Sequence, residues 1–230
     1  MDWVWTNFGL IWGLTLSQVW LSALPIVIGF VLSIPLGYLA SRSKVARSIL
    51  LSVGGILYTI PSLALFVVIP VLIGTSLLDP TNVVVALTIY AVAIMVRSAA
   101  DAFAAVPEPI QDSAKAMGFS RRQQFFAVDF PLAGPVLLAG IRVVSVSTVS
   151  LVSVGSVIGV SSLGFLFTNG FQLNFYTEIW VGIVGTLIVA AVFDGVLVLI
   201  GRALMPWNRR ATPQLARILS KKRSVQRSWI

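Results

Sequence analysis

The chain of 230 residues is 57% hydrophobic and 10% charged, with a mean hydropathy of +0.96, far from the composition of a water-soluble domain. It contains no cysteine and no histidine, which excludes disulfides, thiolate chemistry, the usual zinc sites and imidazole acid–base catalysis. The formal net charge of +8 suits either nucleic acid or an anionic membrane surface, and the placement of the charges decides between them.

In chain order, Met1 to Gln18 carries Trp3, Trp5, Phe8 and Trp12 beside a single acid, Asp2. It reads as an amphipathic piece resting at the membrane interface, where indole rings sit well. It lacks the basic leader that a signal peptide would carry. Val19 to Ser41 is free of charge and long enough to cross a hydrocarbon core that needs about 20 residues. After Arg42, Lys44 and Arg47, a second uncharged span runs from Ser48 to Leu78, with Pro61 and Pro70 inside it; a kink or break is expected at Thr59-Ile60-Pro61-Ser62. Asp79-Pro80-Thr81-Asn82 has the composition of a tight turn. A third span follows from about Val83 to Ala104, with Arg97 and Asp101 one helical turn apart and expected to bridge each other. The fourth span covers about Ala133 to Val160, Ser161-Ser162-Leu163-Gly164 opens a loop lasting to Thr177, and the fifth runs from about Ile179 to Ala203. The fold class is therefore all-α and integral to the membrane. The chain divides into an interfacial segment 1–18, a membrane domain 19–203 and a basic tail 204–230.

Between the third and fourth spans lies the one long polar interruption, Val106 to Pro135. Pro109 suits the first turn of a helix, and Gly118 suits the position just past a helix end, where left-handed dihedrals are needed. Ser120 and Gln123 have the spacing of a capping box that starts a second helix, and Pro131 is expected to close the segment. Ile110, Ala114 and Met117 fall on one helical face and are expected to hold the first short helix against the membrane core. A merely solvated loop has no need of a pair of helices that is capped, turned at glycine and stopped at proline.

Orientation follows from the 16 lysines and arginines. All of them can be placed on one side: Arg42, Lys44 and Arg47; Arg97, Lys115, Arg121, Arg122 and Arg142; and the eight from Arg202 to Arg227. The opposite segments, 1–18, 79–82 and 161–177, have none. The positive-inside rule then puts the N-terminus outside, and the C-terminus and residues 106–131 in the cytoplasm. The basic charge is thus topological, which removes nucleic acid as a partner. The tail, with Arg217, Lys221, Lys222, Arg223 and Arg227, is matched to anionic lipid headgroups.

Asp112-Ser113-Ala114, then Gly118 after three residues, Val128 after nine more, and Phe130-Pro131 after one resemble the coupling motif of bacterial ABC importer permeases, with Asp112 for Glu, Ser113 for Ala and Phe130 for Leu. The five-span layout is similar to that of the small binding-protein-dependent permeases. Tyr58 to Leu65, Val106-Pro107, Ala139 to Arg142 and Ser162 to Gly164 most resemble the permeases for glycine betaine, choline, carnitine or proline. The resemblance implies a multi-pass subunit of the bacterial cytoplasmic (inner) membrane that works with a second permease copy or paralogue, an extracytoplasmic substrate-binding protein and cytoplasmic ATP-binding subunits. It also implies that Asp112, Ser113, Ala114, Gly118, Phe119, Ser120, Val128, Phe130 and Pro131 form the ATPase-coupling site. This chain would bind no cofactor of its own, ATP and Mg residing on the partner subunit, in keeping with the absence of a Gly-rich phosphate loop.

Other residues admit two readings. Tyr58, Pro61 and Ser62 would line the pathway if the proline frees carbonyls toward a cavity, or mark an ordinary kink. Asp194, an intramembrane charge, would pair with Arg97 or Arg142, or serve transport. The glycines and serines from Ser153 to Gly164 permit close helix packing, as at a subunit interface, and Asn169 to Tyr176 is placed to meet an external binding protein. A methionine-type or other amino-acid permease is the alternative solute class. An intramembrane enzyme would need a His, a Cys, a Gly-x-Ser-x-Gly or a carboxylate pair within the helices, and the chain has none of these; an ion-coupled carrier would need several intramembrane charges and an inverted repeat, and the chain shows one intramembrane acid and no repeat.

Overall fold

The computed structural model describes residues 2–207, and all regular structure among them is helical. The helices are α1 (Asp2–Thr6), α2 (Phe8–Arg42), α3 (Lys44–Thr59), α4 (Ser62–Ile73), α5 (Pro80–Ala104), α6 (Glu108–Ala116), α7 (Arg121–Gln124), α8 (Phe130–Val154), α9 (Gly164–Gln172) and α10 (Tyr176–Leu204). A π-helical turn, Phe125–Asp129, joins α7 to α8, and a 3-10 turn, Gly155–Ile158, follows α8. Four stretches are long and apolar enough to cross a membrane: α2, α5, α10 and the run Arg121–Ile158. A fifth span results if α3 and α4 count as one, since they are bent by 102° at their break.

The first long helix departs from expectation. No boundary falls at Val19, because Phe8 to Arg42 is one helix of 35 residues. At 1.5 Å per residue it is about 52 Å long, against a hydrocarbon core of about 30 Å, so its aromatic first turns reach beyond the core without a break in the helix. Gln18 is fully buried. Its amide donates to the Val149 carbonyl at 2.7 Å and its oxygen accepts from the Leu163 amide at 3.2 Å, tying α2 to α8 and to the loop that follows.

The break between α3 and α4 sits where Pro61 places it. Ile60 (ψ 128°) and Pro61 (ψ 133°) are extended, and the Ile60 carbonyl accepts the Tyr90 hydroxyl of α5. Helix α5 begins at Pro80, so Asp79 acts as an N-cap, accepting from the Thr81 amide at 2.9 Å. Hydrogen bonds from the Thr81 backbone and side chain hold the Asp79 carboxyl below the usual carboxylate range. The expected loop 161–177 contains helix α9.

Helix α5 is the centre of the bundle: half of its apolar window is buried, against 6% for α10. Its N-terminal half packs Val83, Leu87 and Tyr90 against Phe66 and Ile69 of α4; its C-terminal half packs Met95, Ala99 and Phe103 against Leu137 and Val144 of α8. Against α2 the fit depends on small residues. A Cβ on Gly29 would lie 2.5 Å from the Ala91 Cβ, and one on Gly37 would lie 2.3 Å from the Ala99 Cβ. With Ser33 fully buried between them, the Gly29–Ser33–Gly37 stripe lets the two helices approach to backbone contact. Outward-facing residues such as Val31, Ile56, Val71 and Leu187 are exposed, as a lipid solvent permits.

Candidate functional site at the basic end of the bundle

The segment 106–131 folds at the end where Arg42 and Arg47 lie. Helix α6 starts after Pro107, with Pro109 in its first turn and Glu108 and Lys115 placed favourably for its dipole. It ends at Gly118, whose φ is +82°. The Phe119 amide bonds the Ala114 carbonyl at 3.1 Å, and the Gly118 amide bonds that of Lys115 at 2.9 Å, the paired closure of a helix finished by a left-handed residue. The Ser120–Gln123 capping box is present in both directions. Asp112, Ser113, Gly118 and Ser120 are exposed, and the Asp112 carboxylate accepts from Lys115 at 2.9 Å.

Two expectations here are corrected. Of Ile110, Ala114 and Met117, only Ala114 is buried, at 1% exposure, while Ile110 and Met117 are 43% and 68% exposed. Met117 lies past the last helical residue, where the turn toward Gly118 carries it outward. Nor does Pro131 close the segment: Arg121 to Val154 is continuous through the π turn. Within that turn the Phe130 amide bonds the Phe125 carbonyl five residues back. The wider spacing accommodates a proline that has no amide and would crowd the carbonyl four residues before it. The second arm of the hairpin is thus the first part of a membrane helix, continuous with it.

The attachment of this segment to the bundle is a cluster that the sequence reading missed. Asp129, in the π turn, is 1% exposed. Its Oδ2 accepts from Arg42 Nη2 at 2.8 Å and from the Tyr38 hydroxyl at 3.4 Å. Arg42 Nη1 donates to Gln111 Oε1 of α6 at 3.0 Å, and its guanidinium lies 5.0 Å from the Tyr38 ring centre. One arginine at the last residue of α2 therefore touches both arms of the hairpin. Beneath it the rings of Tyr38, Phe103 and Phe125 meet edge-on or tilted at 4.8–5.7 Å, and Phe130 lies 6.0 Å from Phe125, joining the ends of α2, α5 and α8. Val128 and Pro131 are half-buried beside them. The available signal was Asp129 itself, a carboxylate between apolar residues, together with Tyr38 and Arg42 one helical turn apart.

The other charged candidates separate. Asp194 on α10 is held in a two-point pair by Arg142 on α8, Nε–Oδ1 2.6 Å and Nη2–Oδ2 2.8 Å, which selects Arg142 over Arg97. Asp101 pairs with Arg47 of α3, which overturns the expected Arg97–Asp101 bridge: α3 packs along α5, with the Ala93 carbonyl facing Gly54, and brings Arg47 to Asp101. Arg97 is exposed. Tyr58 is 52% exposed and packs edge-on to Tyr90 at 5.8 Å, beside Pro61 and Ser62 at the break. Gly164 sits so close to α8 that a Cβ would lie 1.9 Å from the Ser153 carbonyl oxygen, so this glycine serves packing within the chain. Among the described residues no three acidic groups converge on a metal position. The tail residues from Asn208 onward lie outside the described residues.

Comparison with known proteins places this geometry. Residues 29–211 match the family described as binding-protein-dependent transport system inner membrane component. The chain is 30% identical to the osmoprotectant import permease protein OsmW of Salmonella typhimurium over 83% of its own length and 90% of that protein. It is 29% identical to the choline transport system permease protein OpuBB of Bacillus subtilis over 92% of this chain and 96% of that one. Its fold is that of a chain in the inward-facing MetNI methionine ABC transporter, with a TM-score of 0.75 and 22% identity over 86% of this chain and 98% of that chain.

Proposed function

This chain belongs to the binding-protein-dependent transport system inner membrane components, and from that premise we propose the following working arrangement. The protein is a permease subunit of an ABC importer in the inner membrane. It crosses the membrane five times, with α3 and α4 forming one broken span. Its N-terminus is outside and its C-terminus is in the cytoplasm, as the one-sided placement of Lys and Arg supports. Residues 1–18 rest at the outer interface, 19–203 form the permease domain, and 204–230 form a basic cytoplasmic tail.

In this arrangement α6, the Gly118 turn and α7 are the contact with a cytoplasmic ATP-binding subunit. The observation that carries the reading is the double attachment of the hairpin. Exposed Met117 and Phe119 and the exposed face of Asp112 and Ser113 are free to enter a groove on that subunit. The opposite side is fixed to α2 through Arg42 and is continuous with α8 through the π turn. A displacement of the hairpin is therefore delivered to two membrane helices at once. ATP hydrolysis takes place in the partner subunit and this chain is not catalytic. A second permease, a copy or a paralogue, completes the pathway, and the outer loops containing α9 receive the loaded binding protein. Tyr58, Pro61 and Ser62 at the α3–α4 break face the pathway, while Asp194 serves as a structural partner of Arg142.

The solute is a compatible solute of the quaternary ammonium or proline kind: glycine betaine, choline, carnitine or proline. The names of the two relatives support this class; the likeness to the methionine transporter, at 22% identity, concerns the fold alone. Reconstitution in proteoliposomes with the ATP-binding subunits and the binding protein tests the assignment. Uptake of labelled betaine or choline that requires both ATP and the partner subunits is the expected result. Uptake by this chain alone, driven by a proton or sodium gradient, would overturn it.

A further inference from the structure

Between the end of α2 and the coupling segment lies a groove of about 920 Å³ whose α2 wall lies outside the contact proposed for α6, the Gly118 turn and α7. Its wall is apolar and aromatic, built by Pro35 and Leu39 of α2 with Phe119, Phe125 and Phe126 opposite. Four cations, Arg42, Lys115, Arg121 and Arg122, line it without a carboxylate. Two of them are engaged, Arg42 by Asp129 and Lys115 by Asp112. Arg121 and Arg122 have no acidic partner among the described residues. Leu39 and Phe126 are 54% and 70% exposed. The apolar wall continues along one stripe of α2 through Pro35, Leu32 and Ile28, all exposed.

We propose that this groove binds an anionic phospholipid of the cytoplasmic leaflet, with the phosphate between Arg121 and Arg122 and an acyl chain along Leu39, Pro35 and Leu32. The placement rests on the orientation proposed above. The shape argues for a lipid: a cationic mouth at the ends of the spans opens onto an apolar track that runs up a membrane helix. Free phosphate would leave that track uncovered, and a zwitterionic headgroup would set its own ammonium against two guanidinium groups. Bound there, the lipid joins the coupling hairpin to α2 beside the Arg42–Asp129 pair, and makes the stiffness of the hairpin depend on membrane charge.

Native mass spectrometry of the full-length chain, released from micelles containing equal amounts of phosphatidylglycerol and phosphatidylcholine, tests this. Each cation near an anionic surface is worth roughly a factor of five, so one phosphatidylglycerol should be retained about tenfold or more over phosphatidylcholine. The Arg121→Gln/Arg122→Gln variant should bring the two lipids to near parity with unchanged helix content. Changing Lys221, Lys222 and Arg223 to Gln should leave the preference intact, and excess inorganic phosphate should not displace the lipid. Equal retention of both lipids, an unchanged preference in the double variant, or displacement by phosphate alone would each overturn the proposal. So would loss of ATP-binding-subunit association in the double variant with lipid retention unaltered, which would assign the groove to that subunit. Lipid retention is read independently of ATP-driven uptake, so failure of the transport assignment leaves this result interpretable.

Discussion

Gly118 and Asp129 place opposite demands on substitution. At Gly118 nothing lies within 4 Å of where a Cβ would be, but φ is +82°; the constraint is conformational, and a non-glycine residue there costs about 1–2 kcal/mol. Gly118→Val should therefore abolish ATP-coupled uptake and association with the ATP-binding subunit while leaving membrane insertion intact. Gly118→Asn, which tolerates left-handed dihedrals, should retain most of both. Equal loss in the two variants in a pull-down would show that the missing side chain itself is what the partner needs. Asp129 is instead buried against a charge. Asp129→Asn leaves the Arg42 guanidinium, 38% exposed, without its anion, at a cost on the order of 1–3 kcal/mol, reduced by the solvent access of Arg42. The expected phenotype is uncoupling, with ATP hydrolysis by the assembled complex less responsive to loaded binding protein. A double-mutant cycle with Arg42→Gln should show a clear interaction energy, and additivity would exclude the pair as a transmission point.

At the scale of elements, the bundle is organised by where backbones approach. Helices α2 and α5 meet at Gly29, Ser33 and Gly37, opposite Ala91 and Ala99. In lipid, apolar side chains gain little from leaving one hydrocarbon for another, so this contact depends on fit. Gly37→Ala places a Cβ 2.3 Å from the Ala99 Cβ and 2.9 Å from the Ala100 amide nitrogen. Because part of the obstruction is backbone, the helices must separate, at a cost of about 1–3 kcal/mol. The variant should unfold at a lower temperature in detergent than the wild-type protein, while Gly55→Ala on α3, where nothing lies within 4 Å, should not. The π turn belongs to the same scale: it lets Pro131 enter α8 without a break in the helical run.

For the whole molecule, the proposed orientation has a direct test, since the chain has no cysteine and single-cysteine variants are unambiguous. Ser76→Cys lies between α4 and α5 and Ala116→Cys lies on α6, both at exposed positions. A membrane-impermeant maleimide applied to intact spheroplasts should label Ser76→Cys and spare Ala116→Cys until the membrane is opened. The reverse pattern would invert the topology and remove α6 from the reach of a cytoplasmic partner. The low burial of α10, 6% of its apolar window, leaves residues such as Trp180, Leu187 and Val192 exposed, as a lipid-facing surface permits.

The membrane class, the apolar runs, the bend at Pro61 and the polar hairpin with its Gly118 turn and capping box were legible in the chain itself. These are local matters: an uncharged run long enough for a span, a residue with no Cβ, or a proline with fixed φ acts through its own neighbours in the chain. The pairings that hold the hairpin were decided only by the tertiary structure. Arg97 and Asp101 are adjacent on one helix, yet α3 brings Arg47 to Asp101. Arg42 finds Asp129 because α2, α5 and α8 end together around Tyr38, Phe103 and Phe125. Helical spacing limits which residues share a face, but which face meets which neighbour depends on close packing among several helices. That packing is also why Asp129, a carboxylate among apolar neighbours in the chain, anchors the hairpin.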